Sequence, residues 1–285
     1  MILVTGAGGL TGRFVARELR GRAAVRLGLR DPRRTDHLVA DAERVHFDFE
    51  DPASFAEALA GVTGVYLIRP PKIVRPDVFE PLLAAMRSAG VRHVIFLSVR
   101  GAESNPLLPH RRIEHRIENS GIGWTHLRAN DFMQNFETVH RADIKTGGEI
   151  WAPAGQGRAT WVDVRDLAEV AARVLIESGH EGRAYTLTGP EALSFTDAAL
   201  LFSSHVGHRV EYRMPSLTRF LWNSYRSKRS LGLTVAMAAV YSVQRFGMAA
   251  KMASDLSMLL GRKPCTLDQY IFEHANLWQR RITRQ

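Results

Sequence analysis

The feature that most constrains this chain is a run of glycines set three apart directly behind its first apolar residues. Ile2-Leu3-Val4-Thr5 leads into Gly6-Ala7-Gly8-Gly9-Leu10-Thr11-Gly12, and Arg13–Arg20 then reads as a helix with Phe14, Val15 and Leu19 inward. A strand that turns sharply into a helix needs a residue free of steric restriction at Gly6. It needs no Cβ at Gly9, where backbone approaches a ligand, and none at Gly12, where helix packs on strand. The helix start then offers unpaired N–H groups and the positive end of a dipole to a pyrophosphate. The loop therefore predicts a dinucleotide site built from Gly6, Gly8, Gly9, Leu10, Thr11 and Gly12.

The rest of the first half keeps the rhythm this loop requires. Ala24–Leu29, Val45–Phe47, Gly64–Ile68, His93–Ser98 and Trp124–Leu127 read as short strands. Ala53–Ala60, Val78–Ala89 and His110–Asn119 read as the helices between them. Strand and helix in alternation predict an α/β fold, a doubly wound parallel Rossmann sheet with helices on both faces. The expected division is a dinucleotide-binding domain over residues 1–150, whose sheet receives a later strand near 184–188, and a smaller, mostly helical C-terminal cap over 151–285 that handles substrate. In that second part Asp163–Glu177 has helical periodicity, and Ser194 with Asp197 forms a capping-box pattern. The chain looks helical from Pro215 onward, and the apolar stretch from Ser230 to Val243 reads as a buried helix.

Composition narrows the classes. One cysteine in 285 residues, Cys265, excludes an internal disulfide and a cysteine-based zinc cage, and fits a reducing compartment. No signal-peptide pattern precedes the glycine loop and no apolar run is long enough to span a bilayer, so the expectation is cytoplasmic with no membrane partner. The net charge of +9 raises the possibility of nucleic acid. The basic residues are scattered and form no DNA-binding motif, so nucleic acid is disfavoured. The eleven histidines form no metal-binding pattern, and no metal is expected.

Arg30 takes the first position past the second strand, where an NAD enzyme usually carries an acid for the ribose 2′-hydroxyl. A guanidinium there can clamp a 2′-phosphate, with Arg34, Arg33 and Arg13 adding positive charge. Asp31 argues the other way, but the balance favours NADP(H) over NAD(H). Asp48 and Phe49 follow the third strand, where a carboxylate can accept from an adenine amino group and backbone can read the ring edge. Ile68, Arg69 and Pro70 end the fourth strand at the carboxyl edge and form a wall beside the cofactor.

Several blocks resemble the NmrA-like atypical short-chain dehydrogenase/reductases. They are the glycine loop, Arg30-Asp31-Pro32, Phe47-Asp48-Phe49-Glu50-Asp51, Val94-Ile95-Phe96-Leu97-Ser98, the stretch from Thr125 to Asn135, Trp161–Ala168 and Tyr185–Glu191. The likeness is strongest to the branch of agroclavine-dehydrogenase-like and quinone-reductase-like proteins. One departure is Ala129, where relatives often carry proline. The resemblance implies a Rossmann domain, a preference for NADP(H), and one of two roles. These are an oxidoreductase that passes hydride to a small apolar acceptor such as a quinone, enone or iminium, and a non-catalytic redox sensor that acts on a regulatory protein partner.

The proton donor of ordinary short-chain reductases, a Tyr-x-x-x-Lys pair, is absent: none of the six tyrosines has lysine four residues on. By the resemblance, His110 stands where that lysine belongs. His110 and Glu114 share a helix face, so the carboxylate is expected to raise the imidazole pKa and make His110 a usable acid; a ribose hydrogen bond is the alternative. Ser98 is expected to face the same crevice, where it binds a substrate carbonyl or simply ends a strand. Phe132, Met133 and Asn135 are the expected substrate wall, roofed by Trp151, Trp161 and the later helices.

Overall fold

The structure is a computed structural model that describes residues 1–33, 42–73, 75–226 and 231–280. Its sheet begins with β1 (Ile2–Val4), β2 (Val25–Leu29), β3 (Glu43–His46), β4 (Gly64–Ile68), β5 (His93–Val99) and β6 (Gly123–Ala129). A seventh strand, Arg183–Leu187, lies beside β6, and the order is β3-β2-β1-β4-β5-β6 followed by that strand. Every pairing is parallel. All of β1 is buried, as a parallel strand covered on both faces requires. The order reverses between β1 and β4: β2 and β4 both pair with β1, and Ile2 aligns with Val25 on one side and Gly64 on the other. That reversal is the switch point at which open parallel sheets bind ligands beyond their carboxyl ends.

The connecting helices include α1 (Leu10–Leu19), α2 (Phe55–Leu59), α3 (Phe79–Ser88) and α4 (Pro109–Glu118). The inward residues of α2, α3 and α4 join the strands in one core that holds Leu3, Val65, Phe96, Phe79, Ile113 and Ile117. The other face is served by α1 and the helix Val164–Ile176, which touch each other.

The chain divides into two units. The first comprises Met1–Ala129, Val164–Leu187 and Met258–Leu260; the second comprises Asn130–Asp163, Thr188–Ser257 and Gly261–Gln285. They interleave in sequence, whereas the strand-and-helix rhythm suggests a division near residue 150 with only a later strand near 184–188 returning to the sheet. The second unit contains the helices Phe195–His205, Leu217–Arg226, Leu231–Arg245 and Leu267–His274 and two small strand pairs. Its separate core gathers Phe136, Trp161, Phe195, Phe202, Tyr270 and Trp278. Ser194 and Asp197 make the expected reciprocal capping box.

The helix Leu231–Arg245 corrects one expectation. It is not buried all round: Thr234, Met237, Tyr241 and Gln244 are buried, whereas Leu231, Val235, Val240 and Val243 are exposed. Apolar composition marked the segment, but a surface helix puts only one stripe against its core, and here the outward stripe is apolar as well. Among the described residues no helix is long and apolar enough to cross a membrane.

Candidate functional site

In the first unit the glycine loop closes on itself by backbone alone. The Gly9 N–H donates to the Gly6 carbonyl at 2.8 Å, and the Arg13 N–H donates to the Gly9 carbonyl at 3.2 Å. Thr5 ties the loop to β4: its hydroxyl donates to the Tyr66 carbonyl at 2.9 Å and accepts from the Ile68 N–H at 3.1 Å. Gly6 has φ +60°, and a Cβ there would lie 2.1 Å from Cδ1 of Ile68. A Cβ on Gly12 would lie 2.4 Å from the Gly6 carbonyl oxygen. Gly8 is different, since a Cβ there meets only Leu29 at 3.6 Å, an ordinary contact. Gly9 is the N-cap of α1 and supplies no side-chain hydrogen bond, which leaves the first N–H groups of the helix available to an anion. Leu10 is half-buried and Thr11 buried, so their backbone is what an anion meets.

The residues expected beside the ribose lie past β2, β3 and β4. Arg30 is exposed beyond β2, and its carbonyl is held by His46 Nδ1 at 3.0 Å. Asp31 is engaged by Arg33, at 3.0 Å, so its charge is offset locally. Arg13 lies over the Phe14 ring, 5.4 Å from its centroid. Arg34 lies outside the described residues. Asp48 is pinned by the Ser54 hydroxyl at its N–H and by the Glu50 N–H at its carboxylate. The Phe49 side chain is core, edge-on to Phe47 with centroids 5.0 Å apart, so only its backbone can face a ligand.

Past β4, Arg69 braces the wall: its guanidinium donates to the Ile73 carbonyl at 2.7 Å and to His110 Nε2 at 3.3 Å. Pro70 is half-buried beside it.

His110 behaves opposite to expectation. Burial and the neighbouring Arg69 charge lower its pKa to about 4, and Glu114 is too weak an influence to reverse this. Glu114 is committed elsewhere: Arg128 binds it with two hydrogen bonds of 3.0 and 2.9 Å, and Arg111 adds a third at 3.0 Å. Burial opposes the Glu114 charge, but Arg128, Ser98 and His126 outweigh it and hold the carboxyl at about 2. His110 is thus a neutral imidazole that accepts from Arg69, not a charged acid. Ser98 is 1% exposed, inside β5 and next to Glu114, and does not open on a crevice within this unit.

Glu114, Glu118 and His126 bring ligand-type atoms within 4.8 Å of one another, but Arg111 and Arg128 already occupy the carboxylates. The chemistry there is ion pairing. One signal for it was present in the sequence: Glu114 falls on the same stripe of α4 as Ile113 and Ile117, and an inward acid needs a buried partner.

In the second unit the expected substrate residues part company. Met133 is core at 1% exposure, Phe132 is half-buried and bridges to Val162, and Asn135 donates to Asp131. Asp131 also accepts from the N–H of Phe132, from Trp161 Nε1 at 3.2 Å and from Gln244 Nε2 at 2.8 Å. Burial raises the Asp131 pKa despite these bonds. Asp131 and Asn135 line a cavity of about 180 Å³, partly open to solvent, with Phe136, Trp161, Phe195, Met237, His140 and Tyr241 in its walls. Trp151 is not in those walls; its ring carries Arg219 at 5.3 Å. His140 and Tyr241 escaped the sequence reading, because 101 residues separate them.

A family model described as the NmrA-like family matches residues 1–271. The (4-alkanoyl-5-oxo-2,5-dihydrofuran-3-yl)methyl phosphate reductase of Streptomyces griseus is 32% identical over 281 residues, which are 96% of this chain and 98% of that one. The NAD(P)H azoreductase of Xenophilus azovorans is 29% identical over 96% of this chain and 98% of its own. Among solved structures, the NADPH-dependent quinone oxidoreductase of Escherichia coli complexed with NADPH superposes with a TM-score of 0.87 at 27% identity. It covers 96% of this chain and 99% of that one.

Proposed function

The chain belongs to the NmrA-like family, and on that footing we propose that it is an NADP(H)-dependent oxidoreductase that passes hydride to a small apolar acceptor such as a quinone, enone or iminium. The observation that carries the reading is the loop at Gly6–Gly12. A Cβ at Gly6 or Gly12 would fill the space in which the loop folds, and the uncapped start of α1 fits a pyrophosphate. Arg30, exposed beyond β2, suits a 2′-phosphate. Asp48 suits an adenine amino group, and Ile68, Arg69 and Pro70 form the wall beside the ribose.

When bound, the dihydronicotinamide supplies the hydride; the protein's work is to orient and to exclude water. His110 contributes as a neutral group fixed by Arg69, and Ser98 as a buried support of Glu114. The aromatic cavity of the second unit suits a flat apolar acceptor, with Asn135 on its wall, while Phe132 and Met133 do not line it. The relatives act on acceptors of this kind by their names, a quinone and an azo compound among them.

The missing Tyr-x-x-x-Lys pair favours a second reading, a non-catalytic NADP(H) sensor. NADPH oxidation measured across quinones, enones and iminium salts separates the two. Turnover well above the protein-free rate is expected with at least one class; none across the panel, with tight NADPH binding retained, would leave the sensor.

A further inference from the structure

Acidic residues are missing from one long stretch of the second unit. The chain has 29 of them, yet none falls between Glu211 and Asp255, where seven basic residues do. The helices Leu217–Arg226 and Leu231–Arg245 occupy most of that stretch and touch each other.

The first of these helices is unlike one whose apolar stripe faces a core. Only Phe220 and Ser224 are buried. Leu217, Leu221 and Tyr225 follow at four-residue spacing on the exposed side, with Trp222 beside them, its ring centroid 6.3 Å from that of Tyr225. At about 100° per residue these four cover about 140° of the helix circumference. Trp222 is 60% and Tyr225 77% exposed, so the arc is not the fringe of the core. Arg219 and Arg226, both exposed, border it one turn before and one turn after Trp222. The next helix exposes Leu231 and Val235, and Phe246 and Met248 follow its end. No ion pair engages Arg219, Arg226, Arg245 or Lys251 among the described residues.

Charge and side-chain type together select the occupant. A second copy of the chain would set this basic face against another of the same sign, which is costly. A nucleic acid would satisfy the cations but leave Leu217, Leu221 and Leu231 in water. An anionic lipid surface meets both demands: its headgroups attract Arg and Lys, and the boundary layer beneath takes up Trp, Tyr and Leu. The expectation of no membrane partner rested on the absence of a spanning run. Among the described residues no helix is long and apolar enough to cross a bilayer, but lying on one requires no such length.

We propose that this face docks on an anionic membrane surface, with Leu217–Arg226 lying in the headgroup layer. Trp222 and Tyr225 insert, and Arg219 and Arg226 meet the lipid anions.

The test sediments the full chain with vesicles of phosphatidylcholine alone and with vesicles that also contain phosphatidylserine. Binding is expected to the mixed vesicles only, and it should weaken as salt is raised. Arg226→Glu is expected to weaken it about tenfold or more. The double variant Leu221→Ser with Trp222→Ser is expected to do the same, about tenfold or more, by removing inserted apolar surface. All three side chains are exposed, so thermal midpoint and NADPH affinity should stay at wild-type values. Wild-type vesicle binding by both variants would overturn the assignment of this face. Equal binding to neutral and mixed vesicles would overturn the charge argument. Absence of binding to either would overturn the proposal, and a dimer in sedimentation velocity that the double variant dissolves would give the face to a second copy instead.

Discussion

Alanine at Gly12 tests whether the loop is shaped for a phosphate by close packing. A Cβ there would stand 2.4 Å from the Gly6 carbonyl oxygen, 2.8 Å from its carbon and 3.0 Å from Cα of Ala7. All three are backbone atoms, so no rotamer can give way, and α1 must back off by more than half an ångström. Alanine in a helix is intrinsically favoured over glycine by about 1 kcal/mol. Overpacking of this kind costs about 1–3 kcal/mol. The balance is a net loss of up to about 2 kcal/mol, a fall of several degrees in Tm. Binding should suffer more, because the displaced N–H groups of Leu10 and Thr11 are those proposed to meet the pyrophosphate. Charge-assisted hydrogen bonds are worth about 1.5–3 kcal/mol, so the NADPH Kd is expected to rise roughly ten- to a hundredfold. Gly8→Ala is the control, since its Cβ meets only Leu29 at contact distance. It should leave the Tm of the ligand-free protein alone, and any loss of affinity then reports contact with the ligand. Thermal unfolding without ligand and calorimetric titration with NADPH supply both readouts. A Gly12→Ala protein with wild-type Tm and wild-type Kd would refute the packing argument.

Arg30→Ala should weaken NADPH binding roughly tenfold or more while changing NADH by less than about twofold; equal weakening of both in parallel titrations would remove the 2′-phosphate clamp. Glu114→Gln leaves Arg128 buried beside a neutral group and should cost about 3–5 kcal/mol in urea unfolding, whereas a change below about 1 kcal/mol would mean the pair is dispensable. His110 and His126 both have folded pKa values of about 4 against 6.5 in the unfolded chain. The unfolded state therefore binds the extra protons, and stability should fall as pH drops from 6.5 toward 4, with His110→Gln flattening that slope. Glu114, at about 2 against 4.5, should add a further loss as pH falls from 4.5 toward 2, which Glu114→Gln removes from the unfolding curve.

What was legible in the sequence was what depends on near neighbours. The strand, the glycine spacing and the helix behind it lie within twenty residues, and the Ser194–Asp197 box within four. The His110 pKa could not be read that way. Glu114 sits one turn from His110, but its charge is claimed by Arg128 from a different strand and by Arg111, while burial sets the direction of the shift. The inward stripe of Leu231–Arg245 needed the second unit's core to define it. The Tyr241–His140 pair and the four donors on Asp131 join residues up to 113 apart in sequence, beyond the reach of any periodicity.

The placement of Arg183–Leu187 has a consequence for synthesis on the ribosome. Once β6 has emerged, six strands can pair, yet the outer edge of β6 keeps its hydrogen-bonding groups open until more than fifty further residues have been made. For that interval the nascent chain presents a free parallel edge, the kind of template on which chains aggregate. The second core waits longer still, because Trp278, fully buried and bonded to the Phe136 carbonyl, is among its members. A ribosome stalled anywhere between these points has made the cofactor loop and every member of the first core, but not the second core. Truncation to isolate the dinucleotide-binding part should therefore yield insoluble protein unless Val164–Leu187 is restored.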